Sequence, residues 1–185
     1  LRPGIYDRFP GGQAVTHAKI VSFTSRGAAL AGRVQGCLTD ALAERYDRSG
    51  GLRKTSLSRF AQQAMVDCDL IIFIGAAGIA VRAVAPYLVG KAFDPAVLVL
   101  DENGRFVIPI LSGHLGGANA FARQLAEALG AQAVITTATD GRGVFAGDTW
   151  AREQNLIVLE TARIRGISAA LLRGESVGFR SELPV

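Results

Sequence analysis

No apolar run in this 185-residue chain approaches the roughly 18 residues that a helix needs to cross a bilayer. The longest starts at Leu70 and is bounded by Asp69 and Arg82, so neither a membrane span nor a membrane partner is expected. Cysteine is scarce: Cys37 and Cys68 form neither a disulfide framework nor a ligand cluster, and a reducing, cytoplasmic setting is the default. Only two histidines occur, His17 and His114, outside any H-E-x-x-H or C-x-x-C pattern, so no metal site and no separate cofactor are expected. The phosphate fingerprints are missing as well. GAAGIAVR at 75–82 lacks the G-x-G-x-x-G pattern, no G-x-x-x-x-G-K-[ST] is present, and no G-x-S-x-G elbow marks a hydrolase serine. The basic residues neither cluster nor alternate with aromatics, which argues against nucleic acid. The first dozen residues do not follow the basic-then-apolar order of a signal peptide.

What is present suits a folded domain. Hydrophobic residues make up 49% and charged residues 19%, enough apolar material for a core and too little charge for disorder. The length fits one domain, or one plus the beginning of another. The net charge of +4 is unevenly placed, with +6 in residues 1–60 and −2 in the remainder. An anionic partner near the first third is one explanation. A general preference for arginine, 17 against 3 lysines, is another.

Along the chain, KIVSFT (19–24) reads as a buried strand, then a turn at 25–27 and a helix from Ala28 to about Tyr46. Ser56 is placed to cap a helix over 57–66. DLIIFI (69–74) is a second apolar strand, followed by Gly75–Gly78 and a helical stretch to Leu88. AVLVL (96–100) and FVIPI (106–110) flank Asp101–Gly104 as a hairpin. SGHLGG (112–117) opens a helix whose apolar face is Ala118, Phe121, Ala122, Leu125, Ala126 and Leu129, ending at Gly130. Val134-Ile135 reads as a short strand before Thr136–Asp140. Beyond lie an expected helix (148–154), strand (156–159), helix (164–173) and strand (177–179). Strands alternating with helices predict a Rossmann-like α/β three-layer sandwich with a mostly parallel sheet and one hairpin, followed by a small second α/β unit. The expected division is 1–17 as a leader or fusion boundary, 18–141 as the main domain and 142–185 as the start of a smaller one.

In open α/β sheets ligands bind beyond the carboxyl ends of the strands. Four turns follow strands in this reading: Thr24–Gly27, Gly75–Gly78, Ser112–Gly117 and Thr136–Asp140. Glycine lets backbone approach a ligand, and a helix start offers free amides, a combination suited to carboxylates or phosphates; tight turning alone also explains glycine there. His114, inside a glycine-rich turn, is the most informative residue: it suits proton transfer near neutral pH, or equally a turn-stabilising hydrogen bond. Asp140 could orient water or a hydroxyl, or cap a helix. Arg82 could clamp a carboxylate with its planar fork, or form a surface ion pair.

The segments IFIGAAGIAVRAVAPYL (72–88) and KAFDPAVLVLDENGRFVIPILSGHLGGANAFARQLAEALGAQAVITTATD (91–140) resemble the CbiG family of cobalamin biosynthesis. LSGHLGGAN followed by ITTATD is the specific part. The resemblance covers about residues 18–180 and is densest over 69–140. It implies a cobalt-precorrin-5A hydrolase, which opens a δ-lactone on the macrocycle and releases acetaldehyde to give cobalt-precorrin-5B. The substrate it implies is an anionic cobalt tetrapyrrole, so cobalt enters only with the substrate. Other corrin-pathway enzymes and a homodimer are the further partners in view. The implied site has His114 and Asp140 as catalytic residues. Substrate would be bound by Arg26, Gly75, Gly78, Arg82, Ser112, Gly113, Gly116, Gly117, Asn119, Thr136 and Thr137. In this picture His114 or Asp140 activates water and amides of the 112–117 turn hold the oxyanion. The family more often reads IMATGIVVR where this chain has IFIGAAGIAVR, so Gly75 and Ala77 replace bulkier or hydroxyl-bearing residues. Two rival readings stand beside it: a non-catalytic module binding corrinoid intermediates, and an unrelated nucleotide-binding domain.

Overall fold

The computed structural model describes residues 17–39, 41–49, 56–90, 93–154, 156, 158–178 and 180. Among these residues six strands form one sheet: β1 (His17–Ser22), β2 (Leu42–Asp47), β3 (Leu70–Ile74), β4 (Ala96–Leu100), β5 (Phe106–Leu111) and β6 (Gln132–Ala133). Their spatial order is β2-β1-β3-β4-β5-β6. The helices are α1 (Ser25–Cys37), α2 (Leu57–Asp67), α3 (Ala77–Val84), α4 (Ala118–Leu129), α5 (Ala138–Arg142), α6 (Gly147–Glu153) and α7 (Thr161–Leu172). This is the mostly parallel α/β sandwich with one hairpin that the strand and helix patterns predict.

The central strands are unbroken apolar runs because both of their faces are covered. LIIFI of β3 and AVLVL of β4 are buried at every position. The two-residue side-chain period then divides each run between two cores. Ile20, Ile72, Leu98 and Val107 meet Leu30 and Val34 of α1 and Ala122 and Leu125 of α4 on one face. Val21, Ile71, Phe73 and Val99 meet Phe60 and Met65 of α2 and Ala80 and Val84 of α3 on the other. Each fully buried aliphatic or aromatic side chain contributes about 1.5–3 kcal/mol of transfer free energy.

Several elements differ from the expectation. The helix expected over 28–46 is shorter and starts earlier, with Thr24 as its cap, the hydroxyl accepting from the Gly27 amide. The rest of that segment is the edge strand β2, parallel to β1. LAERYD has no helical stripe and only a weak alternation, because an edge strand over a half-covered face buries little. The strand expected at Val134-Ile135 lies two residues earlier, although the Val134 amide still donates to Val107. Beyond Gly143 the described residues carry helices α6 and α7 and no strand, where a small α/β unit with strands at 156–159 and 177–179 was expected. Leu156, Val158 and Leu159 lie outside any strand, as do Val177 and Gly178; Phe179 lies outside the described residues. Leu159 is 91% exposed, so that apolar run has no sheet to cover it. The expected leader falls almost entirely outside the described residues, and His17 already belongs to β1.

One consequence of the hairpin positions the site. β5 is antiparallel to β4, and β6 is parallel to β5. The chain therefore leaves β5 and β6 at the end of the sheet where β1, β3 and β4 begin. The four glycine- and threonine-bearing turns do not share one end. Thr24–Gly27 and Gly75–Gly78 lie at one end, Ser112–Gly117 and Thr136–Asp140 at the other, separated by a strand of five residues, or about 16 Å.

Candidate functional site

The loop after β5 is folded back onto the start of α4. Ser112 has φ 55°, a left-handed conformation uncommon outside glycine, held by its hydroxyl donating to the Asp94 carbonyl at 2.8 Å. The Ser112 carbonyl accepts from the Ala118 amide at 3.1 Å, Gly113 from Asn119 at 3.0 Å and His114 from Gly117 at 3.0 Å. Gly117, at φ 76°, supplies the left-handed turn into α4. The first two amides of α4, those of Ala118 and Asn119, are thus engaged by the loop itself. Among the described residues, the amides of Gly113, His114, Leu115 and Gly116 have no protein acceptor.

Asp140, in α5, gathers four donors. Its Oδ2 accepts from Thr137 Oγ1 at 2.5 Å, His114 Nε2 at 2.8 Å and Asn119 Nδ2 at 2.9 Å; Oδ1 accepts from Arg123 Nη2 at 2.5 Å. Asn119, only 4% exposed, also donates to Thr137 Oγ1 at 2.9 Å. Asn119 and Arg123 are four apart on α4, so one helix face addresses the carboxylate twice. Thr139 Oγ1 lies 3.2 Å from His114 Nε2. On the other side of the ring, Nδ1 stands 3.3 Å from Asp148 Oδ2 in the first turn of α6. His114 is therefore bracketed by two carboxylates that reach it from different helices.

These contacts determine the charge states. The Asp148 hydrogen bond raises the His114 pKa, burial opposes it and Asp140 adds to the rise, so the imidazolium is favoured. Burial alone would raise Asp140, but the hydrogen bonds from Arg123, Thr137 and His114 outweigh it and hold the carboxyl far below its ordinary range. Burial likewise raises Asp148, and the bond and charge of His114 bring it below its ordinary value. The cluster sets the carboxylates of Asp140 and Asp148 around the His114 ring, with the Arg123 guanidinium on Asp140. A ring with both nitrogens donating has no lone pair to accept a proton. With both ring nitrogens turned to carboxylates, the arrangement suits His114 as a hydrogen-bond donor, and Asp140 already accepts four hydrogen bonds.

The structure brings together His114, Asp140, Asn119 and Thr137, with Ser112, Gly113, Gly116 and Gly117 shaping the loop around them. Thr136 is exposed beside them. Arg26, Gly75, Gly78 and Arg82 lie at the far end of the sheet. There Arg26 Nη1 donates to Asn103 Oδ1 at 2.7 Å in an open groove of about 340 Å³ that Arg33 and Glu102 also line. Among the described residues, Arg82 Nη1 donates to the Gly78 carbonyl one turn back, at 3.3 Å. These four do not join the His114 cluster. Sequence reading missed Arg123, Thr139 and Asp148. The i, i+4 step from Asn119 could have found Arg123; nothing local marks Asp148, which arrives from a later helix. Among the described residues no group of three or more His, Cys, Asp or Glu side chains is arranged to hold a metal ion, and no helix is long and apolar enough to cross a membrane.

Residues 59–140 match the family described as "Cobalamin synthesis G N-terminal". The chain is 49% identical over 121 residues to the cobalt-precorrin-5A hydrolase of Salmonella typhimurium, which takes in 64% of this chain and 34% of that protein. It is 38% identical over 112 residues to the cobalt-precorrin-5A hydrolase of Priestia megaterium, 60% of this chain and 30% of that one. The aligned stretches thus span about a third of the length of these relatives. A crystal structure of a putative cobalamin biosynthesis protein G homolog from Sulfolobus solfataricus shares the fold, with a TM-score of 0.53, 23% identity and coverage of 91% of this chain and 51% of that one.

Proposed function

We propose that this chain, whose residues 59–140 match the cobalamin synthesis G N-terminal family, takes part in hydrolysis of the lactone of cobalt-precorrin-5A in cobalamin biosynthesis. The observation that carries the reading is His114, held between Asp140 and Asp148 beside a loop with four unengaged amides, within the most family-like stretch of the chain. Such a cluster supplies proton donors where a carbonyl oxygen gains charge and a ring oxygen departs. Water adds to the lactone carbonyl and the ring carbon–oxygen bond breaks; His114 gives a proton to the departing oxygen and regains one from the new carboxylic acid, which is left as a carboxylate. Departure of acetaldehyde then breaks a carbon–carbon bond: the hydroxyl gives up its proton and the macrocycle takes the electron pair, then a proton. Asn119, Thr137 and Arg123 hold Asp140, and Asp140 holds His114.

The substrate is an anionic cobalt tetrapyrrole, and cobalt belongs to it rather than to the protein. The reading carries with it a cytoplasmic setting, a homodimer and transfer of product to other corrin-pathway enzymes. Arg26 and Arg82, at the far end of the sheet, are too distant to share one substrate carboxylate with His114. The test is acetaldehyde release when purified chain is added to cobalt-precorrin-5A, followed beside the corrinoid spectrum. Turnover in the wild type and its loss in a folded His114→Ala variant are expected. A spectral change without acetaldehyde would overturn the hydrolytic reading in favour of a module that only binds the intermediate.

A further inference from the structure

His114 makes one contact that the family-like stretch does not contain. Asp148 lies beyond residue 140, on α6, with its carboxylate side chain 8% exposed and its Oδ2 3.3 Å from His114 Nδ1. Its other oxygen accepts from the Thr149 amide at 3.0 Å, which fixes the carboxylate relative to its own helix. The remaining groups around the ring come from other elements: Asp140 and Thr139 from α5, and Asn119 and Arg123 from α4, the last two acting through Asp140.

We propose that Asp148 is the positioning residue of this site: its carboxylate pairs with the Nδ1–H of His114, so that the Nε2–H is directed into the Asp140 cluster and the ring keeps both protons. This rests on the reading of His114 as the site's proton donor. An imidazole bonded at one nitrogen can rotate about its side-chain bonds and can trade tautomers; bonded at both, it is fixed in orientation and protonation. One carboxylate suffices to orient a ring that must act as base, with the other nitrogen free. Two carboxylates, on opposite edges, describe a ring kept as acid. Because Asp148 touches His114 and not the reacting atoms, its effect passes entirely through that ring.

The chain has two histidines, so imidazole resonances followed by NMR between pH 4 and 9 resolve each one. His17, which faces Glu44 and the Asp67 carbonyl, is the internal control. With Asp148→Asn, which keeps an acceptor and removes the charge, the His114 midpoint should fall by about one pH unit or more while that of His17 stays in place. Asp148→Glu should restore most of the wild-type midpoint. In turnover assays on cobalt-precorrin-5A, the alkaline limb of kcat should move down with the His114 midpoint in Asp148→Asn, with KM little changed. An unmoved His114 midpoint in folded Asp148→Asn overturns the inference whether or not the chain turns over. A chain that releases no acetaldehyde, yet shows the His114 midpoint moving with Asp148, overturns the hydrolytic reading and supports the pairing.

Discussion

Gly116 lies so close to Ser112 that a methyl group placed on it would stand 2.5 Å from the Ser112 Cβ and 3.0 Å from the Ser112 carbonyl oxygen. The contact is with a residue already in a left-handed conformation and tied to Asp94, so neither partner has room to yield.

Gly116→Ala should therefore open the 112–117 loop. We expect a loss of about 1–3 kcal/mol, the usual range for overpacking a filled site. Gly141→Ala, at a position where an added methyl meets nothing within 4 Å, should be neutral or slightly stabilising. Urea midpoints of the two variants make the comparison; equal midpoints would contradict the packing described here.

The His114 cluster also fixes the sign of the pH dependence. His114 has its pKa raised on folding, so its contribution is fully present below the unfolded value of about 6.5 and is lost as pH rises through the folded value. Asp140 and Asp148 have theirs lowered, so their contribution is present above about 3.9 and is lost as pH falls through the folded values. Stability should be greatest between these limits and decline on both sides. His114→Asn should flatten the alkaline decline. Urea denaturation from pH 2 to 9 tests it; an alkaline limb unchanged in His114→Asn would remove the ring from the linkage.

The two cysteines should behave differently toward thiol reagents. Burial pushes the Cys68 thiol up to about 12, and its side chain is enclosed under α2 in the core. Cys37, at the end of α1, is partly exposed and donates to the Arg33 carbonyl. The folded chain should react rapidly at one thiol and the urea-unfolded chain at two. Two rapid equivalents in the folded state would mean that the face carrying α2 opens readily.

The parts of this structure that the sequence disclosed are those where a single strong pattern rules. The apolar runs of β3 and β4, the stripe of α4 and the turn at Asp101–Gly104 each have one reading. Asp101 itself reinforces the turn, its side chain accepting from the amides of Asn103, Arg105 and Phe106. His114 and Asp140 were legible as polar residues of interest because the sequence sets His114 in a glycine-rich loop and Asp140 at the end of a threonine run, where packing has little use for them. That they meet was not legible, since the contact depends on β5 and β6 running the same way. Nor was the split between the Arg26 and His114 ends, because the rule that ligands gather at strand carboxyl ends assumes parallel strands. β2 escaped notice because edge position weakens the alternation that identifies strands. Asp148 escaped because the helix that carries it is placed by tertiary contacts alone.

The reversed β5 gives the molecule two independently adjustable surfaces on one rigid support. Changes at Thr24, Arg26 and the Asp101–Gly104 hairpin alter what meets one rim, a strand's length of about 16 Å away from direct contact with the ring and carboxylates at the opposite rim.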